Sequence, residues 1–191
     1  MSTQPNTFLT PEEYLAIERK AARKSEYYRG EMFAMAGASR AHNLIVVNIV
    51  AELRQRLKTR HCELYSGDMR LRISAAHLYT YPDVMVVCGD PRFADDQKDT
   101  LLNPMVIVEV LSESTREYDR GRKFENYREL SSLQEYVMVE QDSPHVELFS
   151  RQSEGGWLFK EFKDLNQILP LASIDCELPL REIYDKVDWT A

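Results

Sequence analysis

The chain has 191 residues, 43% hydrophobic and 29% charged, with a net charge of -7. That length fills one domain and is short for two, and the balance is that of an ordinary globular protein rather than a disordered or fibrous one. The acidic balance excludes a protein that coats nucleic acid indiscriminately, which needs many Lys and Arg contacts to phosphate, but it leaves room for a local basic groove. No run approaches eighteen apolar residues, and Met1 to Thr7 has neither the positive region nor the apolar core of a signal peptide, so a cytoplasmic protein without a membrane partner is expected. Cys62, Cys88 and Cys176 are far apart and odd in number, and read as reduced residues in or near the core rather than a disulfide framework or zinc site.

In chain order, Thr10-Pro11-Glu12-Glu13 supplies a capping residue, a first-turn proline and first-turn acids, predicting a helix to about Lys24. Glu26 to Met35 reads as a hairpin turning at Arg29-Gly30. From Ser39 a long helix is expected, with Val46, Val50, Leu53 and Leu57 at helical spacing and His42 on its first turn, leaning toward the buried side. Leu64 to Ile73 alternates apolar residues with Arg70 and Arg72 and predicts one strand with a wet face.

Two further strands, Tyr81 to Val87 and Pro104 to Leu111, are almost continuously apolar, the pattern of a sheet centre buried on both faces. Each carries one carboxylate, Asp83 or Glu109. The segment between them is a polar loop with Asp90, Asp95, Asp96 and Asp99, whose acids read as solvated. Ser114-x-x-Glu117 is a capping box predicting a helix, and Leu133 to Glu140 a strand after it. The remainder predicts a C-terminal accessory hairpin, Val146 to Ser150 and Trp157 to Lys163, an extended segment from Leu165 to Ile174 and a short final helix from Leu180 to Lys186. The fold class is α/β, a core of helix, three strands, helix and strand around a mixed central sheet, with an N-terminal helix and hairpin, in a single domain over residues 1–191.

An unpaired carboxylate in an apolar strand is costly to desolvate. If Asp83 and Glu109 face the same side of adjacent strands, their repulsion is roughly 4 kcal/mol at 4 Å and an effective dielectric of 20. A divalent cation reverses that sign, and hard oxygen ligands suit Mg²⁺ or Mn²⁺. Asp119, Lys123 and Tyr127 fall four apart on the helix, and a packed Lys123 could orient a water or neutralise charge on phosphate. On spacing alone, Asp119 and Lys123 read first as an ordinary surface pair worth a few tenths of a kcal/mol. The basic group Arg54, Arg56, Lys58 and Arg60 reads as a solvated helix face.

The ordered set Glu26-Tyr-Tyr-Arg-Gly-Glu31, His42 opening a helix, Pro82-Asp83-Val84, Val108-Glu109-Val110-Leu111-Ser112, Ser114-Thr115, Lys123 and Tyr127 resembles the PD-(D/E)XK restriction-endonuclease-like superfamily and, within it, the Uma-type family of bacterial endonucleases. The resemblance implies that Asp83 and Glu109 bind a divalent metal, Mg²⁺ or Mn²⁺, and that the reaction is hydrolysis of DNA phosphodiesters by a homodimer. The superfamily pattern has a lysine two residues after the second acid, where this chain has Leu111; Lys123 is its natural replacement. His42, at a helix N-terminus that favours anions, and Glu26, as a ligand to a metal-bound water, complete the candidates; His42 reads equally as a satisfied half-buried histidine, and Glu26 more commonly as a hairpin acid paired with a neighbouring Arg or Lys. The alternative is a catalytically inactive nuclease-fold module that binds DNA or a protein partner.

Overall fold

A computed structural model of the chain describes residues 8–112 and 116–189. Helix α1 (Pro11–Glu18) is opened by the Thr10 hydroxyl, which accepts from the Glu13 backbone while Glu13 reaches back to the Thr10 amide. It stops well before Lys24, because Glu18 and Arg19 are drawn into other contacts. The buried Glu18 carboxylate accepts from the Ser25 amide and the Tyr81 hydroxyl, and Arg19 turns to Asp95 and Asp99 in the distant loop. Strands β1 (Ser25–Tyr28) and β2 (Glu31–Ala34) form the expected hairpin, and both turn residues take positive φ, 49° at Arg29 and 99° at Gly30.

Helix α2 (Arg40–Leu57) begins at Ser39, whose hydroxyl accepts from the His42 amide at 3.0 Å. Ile45, Ile49, Leu53 and Leu57 form its buried stripe, one position round from the Val46 and Val50 expected there, both of which are only partly buried. The basic residues at its far end are largely tied: Arg56 pairs with Glu52, and Arg60 with Asp175.

Leu64 to Ile73 is two strands rather than one, β3 (Cys62–Ser66) and β4 (Arg70–Ile73), broken at Gly67, whose φ is 61°. The break sends the halves into different sheets, and the expected wet face fails at Arg70, which is buried between Tyr81, Thr100 and Asp99. Next come β5 (Leu78–Thr80), β6 (Val84–Cys88), β7 (Thr100–Leu101) and β8 (Val106–Leu111). The predicted capping residue Ser114 lies outside the described residues. The helix then runs as α3 (Arg116–Tyr118), a π-helical turn (Asp119–Lys123) and α4 (Phe124–Tyr127), followed by β9 (Glu135–Glu140), β10 (Val146–Arg151) and β11 (Trp157–Phe162). The chain closes with β12 (Ile168–Leu171), β13 (Cys176–Pro179) and α5 (Leu180–Ile183).

The central sheet has the order β11-β10-β9-β8-β6-β3, with β8 and β9 parallel and its other neighbours antiparallel. The predicted accessory hairpin therefore extends this sheet. Along it, α2, β3, β6, β8, the broken helix and β9 reproduce the helix, three strands, helix and strand read from the sequence. One face packs against α2, β13 and α5; the other meets β4, β5 and α4. A second sheet, β2-β1-β5-β4-β7, lies against α1 through the rings of Tyr14, Tyr27 and Tyr79, whose centroids are 5.1–5.7 Å apart.

Cys62 and Cys88 are not the reduced residues expected. They are partners in the β3–β6 register and form a disulfide, while Cys176 is free and buried. Separation along the sequence says nothing about cross-strand register, which is what joins them. Among the described residues, no helix is long and apolar enough to cross a membrane.

Candidate active site

The two strand carboxylates meet because of the β6–β8 register. Val84 pairs with Val108, Met85 with Ile107 and Val86 with Val106, so one further step sets Asp83 opposite Glu109. Along β8, Val106, Val108 and Val110 face the α2 side, whereas Ile107 and Leu111 face the core of Tyr127 and Tyr136. Glu109 shares the parity of that second set and is its polar interruption, only 3% exposed. Asp83 is steered from two sides. The Val110 amide donates to its Oδ2 at 2.7 Å, and His42 Nε2 lies 3.2 Å from the same oxygen.

Lys123 enters from the π-helical turn. Widening a helix to i→i+5 bonding shifts where its side chains emerge, and such turns are frequent at functional sites. Its Nζ lies 2.9 Å from Glu109 Oε1, 3.2 Å from Asp119 Oδ1 and 3.6 Å from Glu26 Oε1. The Tyr127 hydroxyl donates to Glu109 Oε1 at 2.5 Å, the Thr80 hydroxyl donates to Glu26, and the Tyr136 hydroxyl donates to the Asp119 carbonyl at 3.2 Å. Leu111, on the same face as Glu109, is sealed in the apolar core.

Burial sets the electrostatics. It pushes the Glu109 carboxyl up to about 8; the Lys123 ammonium pulls the other way, while Asp83 and Asp119 add to the rise. Burial also pulls Lys123 down, but Glu109, Tyr127, Asp119 and Glu26 outweigh it and keep the ammonium well above its ordinary value. Tyr127 is raised well above its usual range by burial and by facing Glu109, so its hydroxyl remains a donor.

All five predicted candidates, Glu26, His42, Asp83, Glu109 and Lys123, line one cleft of about 970 Å³. Asp119 joins them, and sequence reasoning missed it: the four-residue spacing from Lys123 was the signal, but spacing alone favoured a surface pair, which the burial of both residues overturns. Asp119 is in fact 3% exposed, and its buried Oδ1 faces the Lys123 ammonium at 3.2 Å. Three carboxylates, Glu26, Glu109 and Asp119, thus face the Lys123 ammonium, with Asp83 across from Glu109. Such an excess of hard oxygen donors fits a divalent cation of the Mg²⁺ or Mn²⁺ type, with Asp83 and Glu109 as the residues to hold it.

A different group, His145, Glu147 and Glu161 on β10 and β11, brings three ligand atoms within 4.8 Å of one another. Its acids are already balanced. Arg120 pairs with Glu147 at 2.6 Å and Lys163 with Glu161 at 3.1 Å, so this cluster reads as an ion-pair network.

Two sequence relatives match most of the chain. A Synechocystis protein, sll1609, is 39% identical over 158 residues, covering 83% of this chain and 89% of its own length. Another from the same organism, slr1290, is 37% identical over 178 residues, covering 92% and 91%. The crystal structure of a protein from Anabaena variabilis, described as "a putative nuclease belonging to DUF820", superposes with a TM-score of 0.73 at 16% identity over 92% of this chain and 97% of that one, a likeness of fold. The model of the Uma2 family, described as "Putative restriction endonuclease", matches residues 11–181, and the chain belongs to that family.

Proposed function

We propose that the protein is a metal-dependent endonuclease that hydrolyses phosphodiester bonds of DNA in the cleft between α2 and the π-helical turn. The observation that carries this reading is the approach of Lys123 Nζ to Glu109 Oε1 at 2.9 Å, on the carboxylate that stands across from Asp83. It places a fixed positive charge where the apolar Leu111 supplies none.

Asp83 and Glu109 would hold Mg²⁺ or Mn²⁺, which when bound polarises a phosphoryl oxygen and makes water acidic enough to attack. The chain's own residues prepare the rest. The Val110 amide and His42 fix the orientation of Asp83, and Tyr127 fixes that of Glu109. Lys123 neutralises charge developing on the phosphate, and its three carboxylate neighbours keep it protonated for that purpose. Glu26, held by Thr80, reaches the ammonium at 3.6 Å and would orient a water beside it. His42, in the first turn of α2, offers a polar edge to phosphate beside Asp83.

Incubating the protein with plasmid and linear DNA in Mg²⁺ or Mn²⁺ tests this. Wild type cuts, and Asp83→Asn and Glu109→Gln do not; cleavage that survives both substitutions removes the assignment. One observation favours a second reading, an inactive nuclease fold that binds DNA or a protein: the position two residues after Glu109 is the buried Leu111. That reading requires the absence of any metal binding that depends on Asp83 and Glu109.

A further inference from the structure

Phe33 is the aromatic side chain that β2 presents to the cleft. It is 48% exposed on β2, yet it lines the cleft together with Glu26, Met35 and Lys123. The β1–β2 register makes it the direct cross-strand partner of Glu26, so both side chains leave the hairpin on the same face. Glu26 in turn reaches Lys123. Phe33 therefore stands one residue pair from the polar centre of the cleft.

The cleft lining includes two lysines, Lys24 and Lys123, against the carboxylates of Glu26, Asp83, Glu109 and Asp119. Lys24 is occupied by Asp68 and the Gly67 carbonyl. On the helix beside the cleft, Arg116 pairs with Glu140 and Asp142, and Arg120 with Glu140 and Glu147. Arg116 and Arg120 are thus committed to carboxylates rather than free for phosphate. An exposed aromatic ring at such a cleft offers a base face a stacking surface, which is tolerant of sequence and adds to whatever phosphate contacts are made.

Resting on the nuclease reading of the same cleft, we propose that the preferred substrate is single-stranded nucleic acid, and that Phe33 is the platform on which an unpaired base stacks beside the phosphodiester at Lys123. In a duplex that base must first be flipped out of its stack; in a single strand it is already free. Phe33 is a specificity-determining residue, and it leaves the metal and lysine chemistry to the groups already described.

The test is fluorescence anisotropy of short labelled strands in Ca²⁺, which supplies the charge of Mg²⁺ while slowing hydrolysis. Single-stranded DNA, single-stranded RNA of the same sequence and the matching DNA duplex are compared on wild type, Phe33→Ala, Phe33→Leu and Phe33→Tyr. Wild type binds a single strand about tenfold or more tighter than the duplex. Phe33→Ala and Phe33→Leu lose on the order of tenfold of that affinity, and Phe33→Tyr retains it. The DNA and RNA arms identify which strand is the ligand. Duplex binding as tight as single-strand binding overturns the proposal, and so does unchanged affinity in Phe33→Ala. Cleavage of duplex DNA that ignores Phe33 would remove this inference and leave the nuclease assignment standing. Phe33-dependent strand binding without cleavage by any variant would do the reverse.

Discussion

Lys123 Nζ and Glu109 Oε1 are 2.9 Å apart, although one side chain rises from a π-helical turn and the other from the centre of a six-stranded sheet. The contact sits on the face of β8 that Leu111 otherwise makes apolar. A cation delivered from the next helix thus reaches the site without a basic residue in the strand.

Replacing Lys123 with Met keeps the length of the side chain and removes its charge. Metal-dependent cleavage then falls by about 10²–10³-fold, the loss seen when a preorganised donor to a transition state is removed. Single-turnover cleavage rates measure it, with circular dichroism confirming the fold. Undiminished turnover in Lys123→Met would refute a catalytic role for the ammonium.

Asp83→Asn separates a metal site from a structural ion pair. In metal-free buffer above about pH 8, where Glu109 is ionised, the variant melts at or slightly above the wild-type temperature, because a like charge opposite Glu109 is gone while an amide oxygen can still accept from Val110. Added Mn²⁺ raises the wild-type melting temperature and leaves the variant where it was. A large loss in the metal-free protein points instead to the His42 contact as the purpose of Asp83.

The apo protein becomes less stable as pH rises. Burial lifts Glu109 from 4.5 to about 8, so between those values the folded state binds a proton that the unfolded chain releases. The stability it contributes is complete below pH 4.5 and is lost as pH rises through about 8. In EDTA, wild-type melting temperature declines from pH 6 to 9, and Glu109→Gln, which mimics the protonated acid, flattens that decline. Parallel pH profiles for the two proteins contradict the shift.

The Cys62–Cys88 bond closes a loop with a sequence separation of 26. On chain-entropy grounds its reduction removes about 3 kcal/mol of stability. Denaturant titrations with and without a thiol reductant measure the difference, and Cys62→Ser should reproduce the reduced protein. Cleavage in the folded range should not change, since neither cysteine lines the cleft.

What could be read from the sequence was whatever a single element states about itself. Ser39 announces the start of α2, Arg29-Gly30 the hairpin turn, and Asp83 and Glu109 stand out because their strands are otherwise apolar. What could not be read depends on register or on local departures from regular geometry. Gly67 splits one apparent strand into members of two sheets, which also turns Arg70 inward. The π-helical turn changes the aim of Asp119 and Lys123, and ideal helical spacing left them indistinguishable from a surface pair. Cys62 and Cys88 meet through pairing between β3 and β6 that neither segment specifies alone.

The central claim, that Asp83 and Glu109 form one metal site served by Lys123, is tested most directly by calorimetric titration with Mn²⁺. Wild type is predicted to bind, with binding lost in Asp83→Asn and in Glu109→Gln and kept in Glu161→Gln of the β10–β11 cluster. Mn²⁺ binding that persists in the first two variants and disappears in the third would contradict the account and move the metal to His145, Glu147 and Glu161.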